Sequence, residues 1–233
     1  MQFVATLLLV LASYLIGSIP TGYLIAKWLK GIDIRQHGSG STGATNVLRC
    51  VGKGAGVSVF LIDALKGFLP AFAFIALEHA YIEAPVLHSD WVAVLLSLAA
   101  LLGHSKSIFL NFSGGKSAAT GLGTLFALDP RVGALTFAIF LTVLALSRIV
   151  SVASLTAVFS CAFLMYFLRA PMPFVIYCIV GCTYVFYLHR ANLKRLIAGT
   201  EPRLGEKAKE TPGNLSQETN EPPPLADAGS KKV

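Results

Sequence analysis

Charged residues are scarce in this chain. They make up 13% of its 233 residues, whereas soluble globular domains carry about 25%. Hydrophobic residues account for 55%. This balance excludes an ordinary soluble domain and predicts a protein embedded in lipid.

Two further features are missing from the sequence. No C-x-x-C pair occurs among the four cysteines, and three of them, Cys161, Cys178 and Cys182, lie in apolar runs where we expect them to pack as small hydrophobes. No basic segment precedes the first apolar run, residues 3–25, which is also longer than the apolar core of a cleavable signal peptide. We therefore expect this run to be a retained helix.

Apolar runs that approach or exceed the length needed to cross about 30 Å of hydrocarbon recur along most of the chain. Asp129, Pro130 and Arg131 divide the run 118–146, because a turn signal with a charge is unfavourable at the bilayer centre. The fourth helix is short, since its residues reach only about 16 Å, and must be tilted, extended or partly re-entrant. The sequence thus predicts an all-α integral membrane protein with seven transmembrane helices, over residues 3–25, 55–77, 91–110, 118–128, 132–146, 151–168 and 174–188.

The placement of Lys and Arg predicts the orientation of these helices. Seven spans put Arg131 and Arg169 on one side and every other Lys and Arg, except Lys66 within the second span, on the other. The positive-inside rule makes the second side cytoplasmic. We expect residues 1–203 to form one polytopic membrane domain and residues 204–233 a disordered cytoplasmic tail, because Pro, Glu, Ser, Asn and Lys dominate it. We expect no nucleic-acid partner.

Residues 35–49, between the first two spans, form a first polar island rich in Gly, Ser and Thr. Glycines let backbone N–H groups approach an anion, and the positive end of a following helix favours negative charge, so a phosphate would fit. The segment is not a Walker A loop, because Ala44 stands where that motif needs Lys. The alternative interpretation is a flexible connector.

The second polar island covers residues 103–120. Lys116 follows two glycines and precedes the short fourth helix, so it either supplies a charge beside helix N-terminal amides or serves as a positive-inside anchor. His104 ends the third span at the water boundary, where a capping or packing role is as reasonable as a catalytic one.

The third polar island covers residues 189–201. The spacing of His189 and Asn192 puts both on one face of a continuing helix, which indicates a site. Lys194 and Arg195 fit a topological or lipid-binding role better.

In the seven-span arrangement all three islands meet at the cytoplasmic face, which predicts one shared site. Asp63 and Lys66, three residues apart in the second span, are expected either to pair or to contact substrate. Ser151 and Ser154, at the start of the sixth span, would bond a ligand or their own helix.

Taken together and in this order, the three islands resemble the motifs of the bacterial acyl-phosphate:glycerol-3-phosphate acyltransferases, the PlsY family, over about residues 8–205. Ser41, where Asn is common, and Ser117, where Gly often follows the lysine, depart from the family pattern. Neither removes a charged position. The resemblance rests on Gly38-Ser39-Gly40, Gly43-Ala44-Thr45-Asn46, Gly103-His104, Gly114-Gly115-Lys116, Ala119-Thr120, His189-Arg190, Asn192, Gly199 and Glu201.

This resemblance implies transfer of a fatty acyl group from acyl phosphate to the 1-hydroxyl of glycerol 3-phosphate, which gives lysophosphatidate and phosphate in the first step of phospholipid synthesis. It implies no metal and no other cofactor. It also implies a bacterial inner-membrane location, an active site facing the cytoplasm and contact with membrane lipid, and it admits contact with other enzymes of phospholipid synthesis.

Carried over residue by residue, the resemblance implies two overlapping groups of site residues. Arg49 and Lys116 are also suited to this role by charge, because both substrates carry phosphate. The catalytic residues would be His189, Asn192 and Ser39, and the substrate-binding residues Ser39, Arg49, Lys116, His104, Ser154 and Asn192.

A missing motif constrains the mechanism. No histidine is followed five residues later by aspartate, so the His-x-x-x-x-Asp general base of other glycerolipid acyltransferases is absent. Acyl phosphate is already activated, and positioning with charge stabilisation can supply most of the acceleration. We expect direct attack by the glycerol hydroxyl, with a substrate phosphate oxygen or His189 taking the proton.

The competing function is a transporter or flippase for a phosphorylated small molecule, because broken helices and basic pockets also suit solute passage. Two features weigh against it. No inverted repeat is apparent, and the islands cluster at one face of the membrane and not at its midplane.

Overall fold

The computed structural model describes residues 2–81 and 89–206, and the predicted tail beyond residue 206 lies outside the described residues. Helices dominate the described part, with short 3-10 turns at Ile34–Gln36 and Ile108–Leu110. The α-helices are α1 (Gln2–Ser18), α2 (Thr21–Lys30), α3 (Ala44–Cys50), α4 (Lys53–Tyr81), α5 (Ser89–Ser105), α6 (Ala118–Leu128), α7 (Pro130–Ser147), α8 (Val150–Phe167), α9 (Met172–Leu188) and α10 (Arg190–Ile197).

By length and hydropathy, four of the described helical segments can each cross a membrane: Phe3–Lys30, Lys53–Glu78, Pro130–Ser147 and Val150–Phe167. The bent pair α9 and α10 makes a fifth if it counts as one span, and two shorter apolar helices, Asp90–Ser105 and Ala118–Leu128, accompany them. Many large apolar side chains on these helices are exposed, as expected where a helix faces lipid. The all-helical class is confirmed, whereas the count of seven spans stays a prediction.

The first predicted span, residues 3–25, falls within the apolar segment Phe3–Lys30, which can cross a membrane, but a break interrupts this segment. Helix α1 ends at Ser18 and α2 begins at Thr21, with Pro20 between them. Proline lacks the N–H that would continue the helical ladder, and the Ile19 carbonyl accepts a hydrogen bond from Lys66 Nζ at 2.8 Å. The third helix also ends early, at Ser105, so residues 106–110 belong to the second polar island.

The predicted division of the run 118–146 is confirmed. Asp129 caps α7, where its carboxylate accepts hydrogen bonds from the backbone N–H groups of Arg131, at 2.9 Å, and Val132, at 3.4 Å. Pro130 takes the first helical position, where its missing N–H is not needed. Helix α6 has the predicted bounds, Ala118–Leu128.

Glycines allow the helices to approach each other closely. A Cβ atom added to Gly123 of α6 would lie 1.8 Å from the Ala64 carbonyl oxygen of α4, and one added to Gly67 would lie 2.1 Å from the Thr120 oxygen. Gly17 of α1 and Gly103 of α5 allow the same close approach between these two helices. Such small residues are typical of helix interfaces in membranes. They fix the positions of α5 and α6, whose ends carry the second polar island, against α1 and α4.

Apolar side chains from α5 to α9 form the main core, which includes Leu101, Leu125, Met165, Phe174 and Cys178. A second, smaller cluster joins α2, α3 and α4 around the first polar island. The space left between α4 and α9, on the side where the polar islands meet, holds the cavity described next.

Candidate active site

One cavity of about 190 Å³ reaches all three polar islands. Its polar end lies between the loop before α3, the segment before α6 and the start of α10, and it continues between α4, α6, α7, α8 and α9. Every site residue expected from the sequence lines this cavity: Ser39, Arg49, His104, Lys116, Ser154, His189 and Asn192. Distant parts of the chain thus meet at one place, as expected.

Asn46 shapes the first island. Its Oδ1 accepts the backbone N–H of Ser39 at 2.9 Å, and its Nδ2 lies 2.9 Å from the carbonyl oxygens of both His37 and Ser41. The side chain is buried, and Gly38 lies so close to it that an added Cβ would be 2.3 Å from Asn46 Oδ1. Asn46 therefore holds the loop that presents Ser39, a structural role for which the sequence analysis had no assignment.

Arg49 lies in the last turn of α3 and is half-buried. Its Nη2 donates to the Pro202 carbonyl at 3.2 Å, which ties the first island to the segment that follows α10. Burial lowers the pKa of Arg49, while the nearby Glu201 carboxylate opposes that change. The Arg49 guanidinium therefore lies near Glu201, the acidic residue of the third polar island.

Lys116 sits on a tightly packed turn. A Cβ added to Gly115 would lie 2.0 Å from His104 Nε2, so only glycine fits there, and Ser117 adopts a left-handed conformation with its Oγ donating to the Leu101 carbonyl at 2.8 Å. Within the described residues Lys116 Nζ makes no hydrogen bond and no ion pair. Burial, reinforced by Arg195 and Arg49, lowers its pKa to about 8. The backbone that carries Lys116 is therefore fixed, while its ammonium group lines the cavity without a partner among the described residues.

Asp63 and Lys66 form a buried ion pair, with Lys66 Nζ 2.7 Å from Asp63 Oδ1. Lys66 also bonds the Ile19 carbonyl at the break between α1 and α2. His104 Nδ1 lies 3.5 Å from the same Asp63 oxygen. The sequence left two alternatives for these residues, an ion pair or contact with substrate. Lys66 fits the ion pair, while Asp63 both pairs with Lys66 and lines the cavity.

His189 ends α9 and is buried, with 4% of its surface exposed. Its Nδ1 lies 2.8 Å from the Val185 carbonyl oxygen and must donate there, so the neutral ring keeps the lone pair on Nε2. Burial, with help from the charge of Lys116, lowers the pKa of His189 to about 4. The side chain is thus a neutral imidazole near pH 7, which suits a hydrogen-bond acceptor or a proton acceptor.

Glu201 connects the third island to α8. Its Oε1 accepts from Asn192 Nδ2 at 2.6 Å and from Ser151 Oγ at 2.8 Å, and its Oε2 accepts from Arg195 Nε at 2.7 Å. Although burial raises the pKa of Glu201, these three donors bring it below its usual value. In the sequence, the signal for Glu201 is its place in the third polar island, which predicts no specific role for it.

Two expectations for the third island were wrong. The chain does not continue straight from α9, because α10 is bent from it by 61°. The apolar sequence of α9 ends at Leu188, and the polar α10 turns so that Asn192 and Arg195 reach Glu201. Arg195 is therefore part of the site and not only a topological charge, whereas Lys194 is exposed.

The cavity changes from polar to apolar along its length. One face of α9 lines it from His189 through Val185, Cys182 and Gly181 to Tyr177, a rise of about 18 Å. One face of α8, from Val150 to Cys161, lines it in parallel. Among the described residues no group of three or more His, Cys, Asp or Glu side chains is arranged to hold a metal ion. The polar end can hold phosphate groups, and the apolar end can hold a hydrocarbon chain.

Comparison with known proteins gives a consistent result. The family described as glycerol-3-phosphate acyltransferase matches residues 7–199. The chain is 49% identical over 214 residues to a glycerol-3-phosphate acyltransferase of Crocosphaera subtropica, covering 90% of this chain and 99% of the relative. A protein of the same name from Thermosynechococcus vestitus is 51% identical over 199 residues, covering 85% and 94%.

Two solved structures also match. Both are crystal structures of PlsY (YgiH), an integral membrane glycerol 3-phosphate acyltransferase, one in the glycerol 3-phosphate form and one in the lysophosphatidic acid form. The first has a TM-score of 0.77 at 42% identity and the second 0.75 at 41%, and each match covers 86% of this chain and 96% of the other. The protein described here is therefore an integral membrane protein that belongs to the glycerol-3-phosphate acyltransferase family.

Proposed function

We propose that this protein transfers a fatty acyl group from acyl phosphate to the 1-hydroxyl of glycerol 3-phosphate and releases lysophosphatidate and inorganic phosphate. The observation that carries the proposal is the single cavity whose cationic end, with Arg49, Lys116 and Arg195, continues into an apolar channel between α8 and α9. Each reactant has a phosphate group, and the donor also has a hydrocarbon chain. The cationic end of the cavity suits the phosphate groups, and the apolar channel suits the hydrocarbon chain.

Charge at the polar end favours phosphate. Three cations, Arg49, Lys116 and Arg195, influence one another there, and the carboxylate of Glu201 acts on both Arg49 and Lys116. A site with this excess of positive charge attracts dianionic ligands, and partial burial strengthens the attraction because the local dielectric is low. Lys116 is the cation most available to a ligand, since Arg49 and Arg195 already bond Pro202 and Glu201.

The reaction requires little from the protein beyond placement and charge. The glycerol hydroxyl oxygen attacks the acyl carbonyl carbon, a new ester bond forms, and the bond between that carbon and the phosphate oxygen breaks. The leaving phosphate carries away the electron pair, and Lys116 with Arg49 stabilises the charge that develops on it. The hydroxyl proton passes to a phosphate oxygen of a reactant or to His189 Nε2, whose lone pair is available.

Asn192 and Ser39 would position the acceptor. Asn192 Oδ1 is buried and has no hydrogen-bond partner within the described residues, while its Nδ2 is fixed by Glu201. An unpaired buried oxygen of this kind is stabilised when a ligand hydroxyl donates to it. Ser39 and Ser154 add hydroxyl groups to the lining. We assign Asn192 and Ser39 to the acceptor, with His189, and Ser154 and His104 to the wall of the substrate site.

The placement of Lys and Arg along the chain indicates which side of the membrane the polar end of the cavity faces. The seven-span arrangement puts the polar end of the cavity at the cytoplasmic side of a bacterial inner membrane, where a water-soluble acceptor and a membrane-associated donor can both reach it. Relatives named glycerol-3-phosphate acyltransferase and solved structures in glycerol 3-phosphate and lysophosphatidic acid forms support the choice of acceptor and product. The donor is the part of the proposal that the experiment below decides.

The test is an assay of the purified protein in detergent. Hexadecanoyl phosphate or the corresponding acyl-CoA is supplied with radiolabelled glycerol 3-phosphate, and labelled lysophosphatidate is measured. We expect product with acyl phosphate and none above background with acyl-CoA. Product only with acyl-CoA would refute the proposed donor, and no product with either would refute the enzymatic function. A transporter makes no product in the absence of a sealed compartment.

A further inference from the structure

Gly181 occupies an unusual place in α9. It is buried and lines the cavity about 12 Å along the helix from His189. A Cβ atom added to it would meet only ordinary contacts, with Leu101 Cδ1 at 3.7 Å and a Tyr177 ring carbon at 4.0 Å. No neighbouring backbone therefore requires glycine at this position.

Other buried glycines in the helices behave differently. Added Cβ atoms on Gly17, Gly67, Gly103 and Gly123 would all lie 2.4 Å or less from a carbonyl oxygen of another helix. Those glycines allow two backbones to touch. Glycine within a helix costs about 1 kcal/mol relative to alanine, so a buried helical glycine without such a contact needs a different explanation.

The channel wall suggests that explanation. The face of α9 that lines the cavity runs from His189 past Gly181 to Tyr177, and Cys161 on the opposite helix α8 lines the same stretch. The Tyr177 hydroxyl is tied to Thr124 of α6, so the deep end is closed by a fixed side chain. A chain that enters from the polar end must pass Gly181 before it reaches Tyr177.

The polar end of the same cavity independently indicates a ligand. Asn192 is 6% exposed, and its Oδ1 lacks a hydrogen-bond partner within the residues described. It lies where the headgroup of a chain extending toward Tyr177 would be placed. The unpaired hydrogen-bond acceptor at one end and the missing side chain at the other are thus explained by one elongated ligand.

We propose that Gly181 is a specificity-determining residue that admits long acyl chains. Its lack of a side chain leaves the middle of the channel open, so the distal part of a long chain passes between α8 and α9 and ends near Tyr177. This inference rests on the proposed function, because the chain belongs to the acyl donor and to the lysophosphatidate product. Chains too short to reach Gly181 do not depend on it.

The test compares donors of different length in two variants. Gly181→Leu should lower kcat/KM for hexadecanoyl phosphate by about tenfold or more, the scale on which apolar pockets discriminate size, while octanoyl phosphate loses less than about threefold. The KM for glycerol 3-phosphate should not change. Gly181→Ala, whose Cβ meets only ordinary contacts, should fold normally and move the ratio of the two donors about twofold to threefold in the same direction.

The matched control is Gly54→Leu. Gly54 lies at the exposed start of α4, where an added Cβ has no neighbour within 4 Å, and it does not line the cavity. In this variant the ratio of kcat/KM for hexadecanoyl phosphate to kcat/KM for octanoyl phosphate should equal that of the wild type. Equal losses on both donors in Gly181→Leu, or an unchanged ratio in Gly181→Ala, would overturn the assignment of Gly181.

A binding measurement separates this inference from the proposed function. Thermal unfolding in detergent is recorded with lysophosphatidate that carries a hexadecanoyl or an octanoyl chain. We expect the long-chain product to raise the Tm of the wild type more than that of Gly181→Leu, and the short-chain product to affect both alike. If the wild type forms no product from any donor, the proposed function fails, and this Tm comparison alone decides the role of Gly181.

Discussion

Asn192 donates its side-chain N–H to Glu201 Oε1 at 2.6 Å, and this contact determines which way the amide faces. Within the part of the chain that the structure describes, the side-chain oxygen of Asn192 has no hydrogen-bond partner at the polar end of the cavity. The same carboxylate binds Ser151 of α8 and Arg195 of α10. Glu201 therefore orients the proposed acceptor-binding group and holds the bend between α9 and α10.

Replacing Glu201 tests this orienting role. Glu201→Gln keeps the size of the side chain but places an NH2 group where at least one of the donors Asn192, Ser151 and Arg195 needs an acceptor. One of these contacts becomes a clash of donors, and a buried unpaired group costs about 1–3 kcal/mol. We expect kcat/KM for glycerol 3-phosphate to fall at least tenfold in a detergent assay.

The matched control is Glu206→Gln, because Glu206 is exposed and lies outside the cavity. Its activity should equal that of the wild type. Circular dichroism and the thermal midpoint of Glu201→Gln should show that the helices remain folded. Wild-type kinetics in Glu201→Gln would contradict the orienting role.

Substitutions at Arg49 and Lys116 test the proposed phosphate site. Arg49→Ala and Lys116→Ala should each abolish measurable activity while leaving folded protein in the membrane, because each removes a charge that stabilises phosphate by several kcal/mol in a water-poor site. Loss of an orienting donor alone commonly costs about 100-fold or more in turnover. Product formation from acyl phosphate and glycerol 3-phosphate is the measurement.

Matched controls for these charges are Lys106→Ala and Arg203→Ala, which remove exposed cations outside the cavity. Both should keep normal turnover. If Arg49→Ala or Lys116→Ala also keeps near-normal turnover, the role assigned to that residue is wrong.

The local and the long-range parts of this structure differ in how well the sequence predicts them. The division between α6 and α7 was predictable because Asp129, Pro130 and Arg131 make their capping contacts within three residues of one another. The role of Glu201 was not predictable, because Ser151 is 50 residues away and the contact exists only when the segment after α10 lies against α8. The bend at His189 was not predictable either, since the bonds from Asn192 and Arg195 that favour it are made to Glu201, beyond the end of α10.

The set of cavity-lining residues was predictable for a different reason. Ser39, Arg49, Lys116 and Asn192 lie on three separate islands, and no local pattern says that these islands meet. Their shared resemblance to one family, with the placement of all three at one membrane face, carried that prediction. Arg195 was missed because a basic residue just after an apolar helix usually serves topology.

Lys116 predicts a pH dependence. Its pKa in the free protein is lowered to about 8, so the ammonium is charged below pH 8 and loses its proton as the pH rises through that value. The kcat/KM for glycerol 3-phosphate should therefore fall above about pH 8. Bound phosphate favours the charged amine and raises its pKa, so kcat at saturating substrate should fall only at higher pH.

The conservative variant Lys116→Arg provides the control for this profile. A guanidinium stays charged throughout the range, so the alkaline fall in kcat/KM should move upward or disappear even if the maximum rate is lower. Spontaneous hydrolysis of acyl phosphate is subtracted at each pH. An alkaline limb at the same pH in Lys116→Arg would assign it to another group.

Direct attack by the acceptor predicts that no acyl-enzyme forms. Purified protein mixed with radiolabelled acyl phosphate in the absence of glycerol 3-phosphate, and quenched in acid within one turnover, should carry no labelled acyl group. The nucleophiles nearest the site include Ser39 and Ser154, and Ser39→Ala should lower the rate without changing this result. Rapid appearance of labelled protein that transfers its acyl group to added acceptor would refute direct attack.

Gly123 predicts where the membrane domain is most sensitive to packing. A Cβ at this position would lie 1.8 Å from the Ala64 carbonyl oxygen, so Gly123→Ala must separate α4 from α6, at a cost of about 1–3 kcal/mol. We expect a lower thermal midpoint in detergent, measured by tryptophan fluorescence. Gly54→Ala, at an exposed position with no neighbour within 4 Å, should leave the midpoint unchanged or slightly raised. Equal midpoints for Gly123→Ala and the wild type would show that α4 and α6 do not touch at this point.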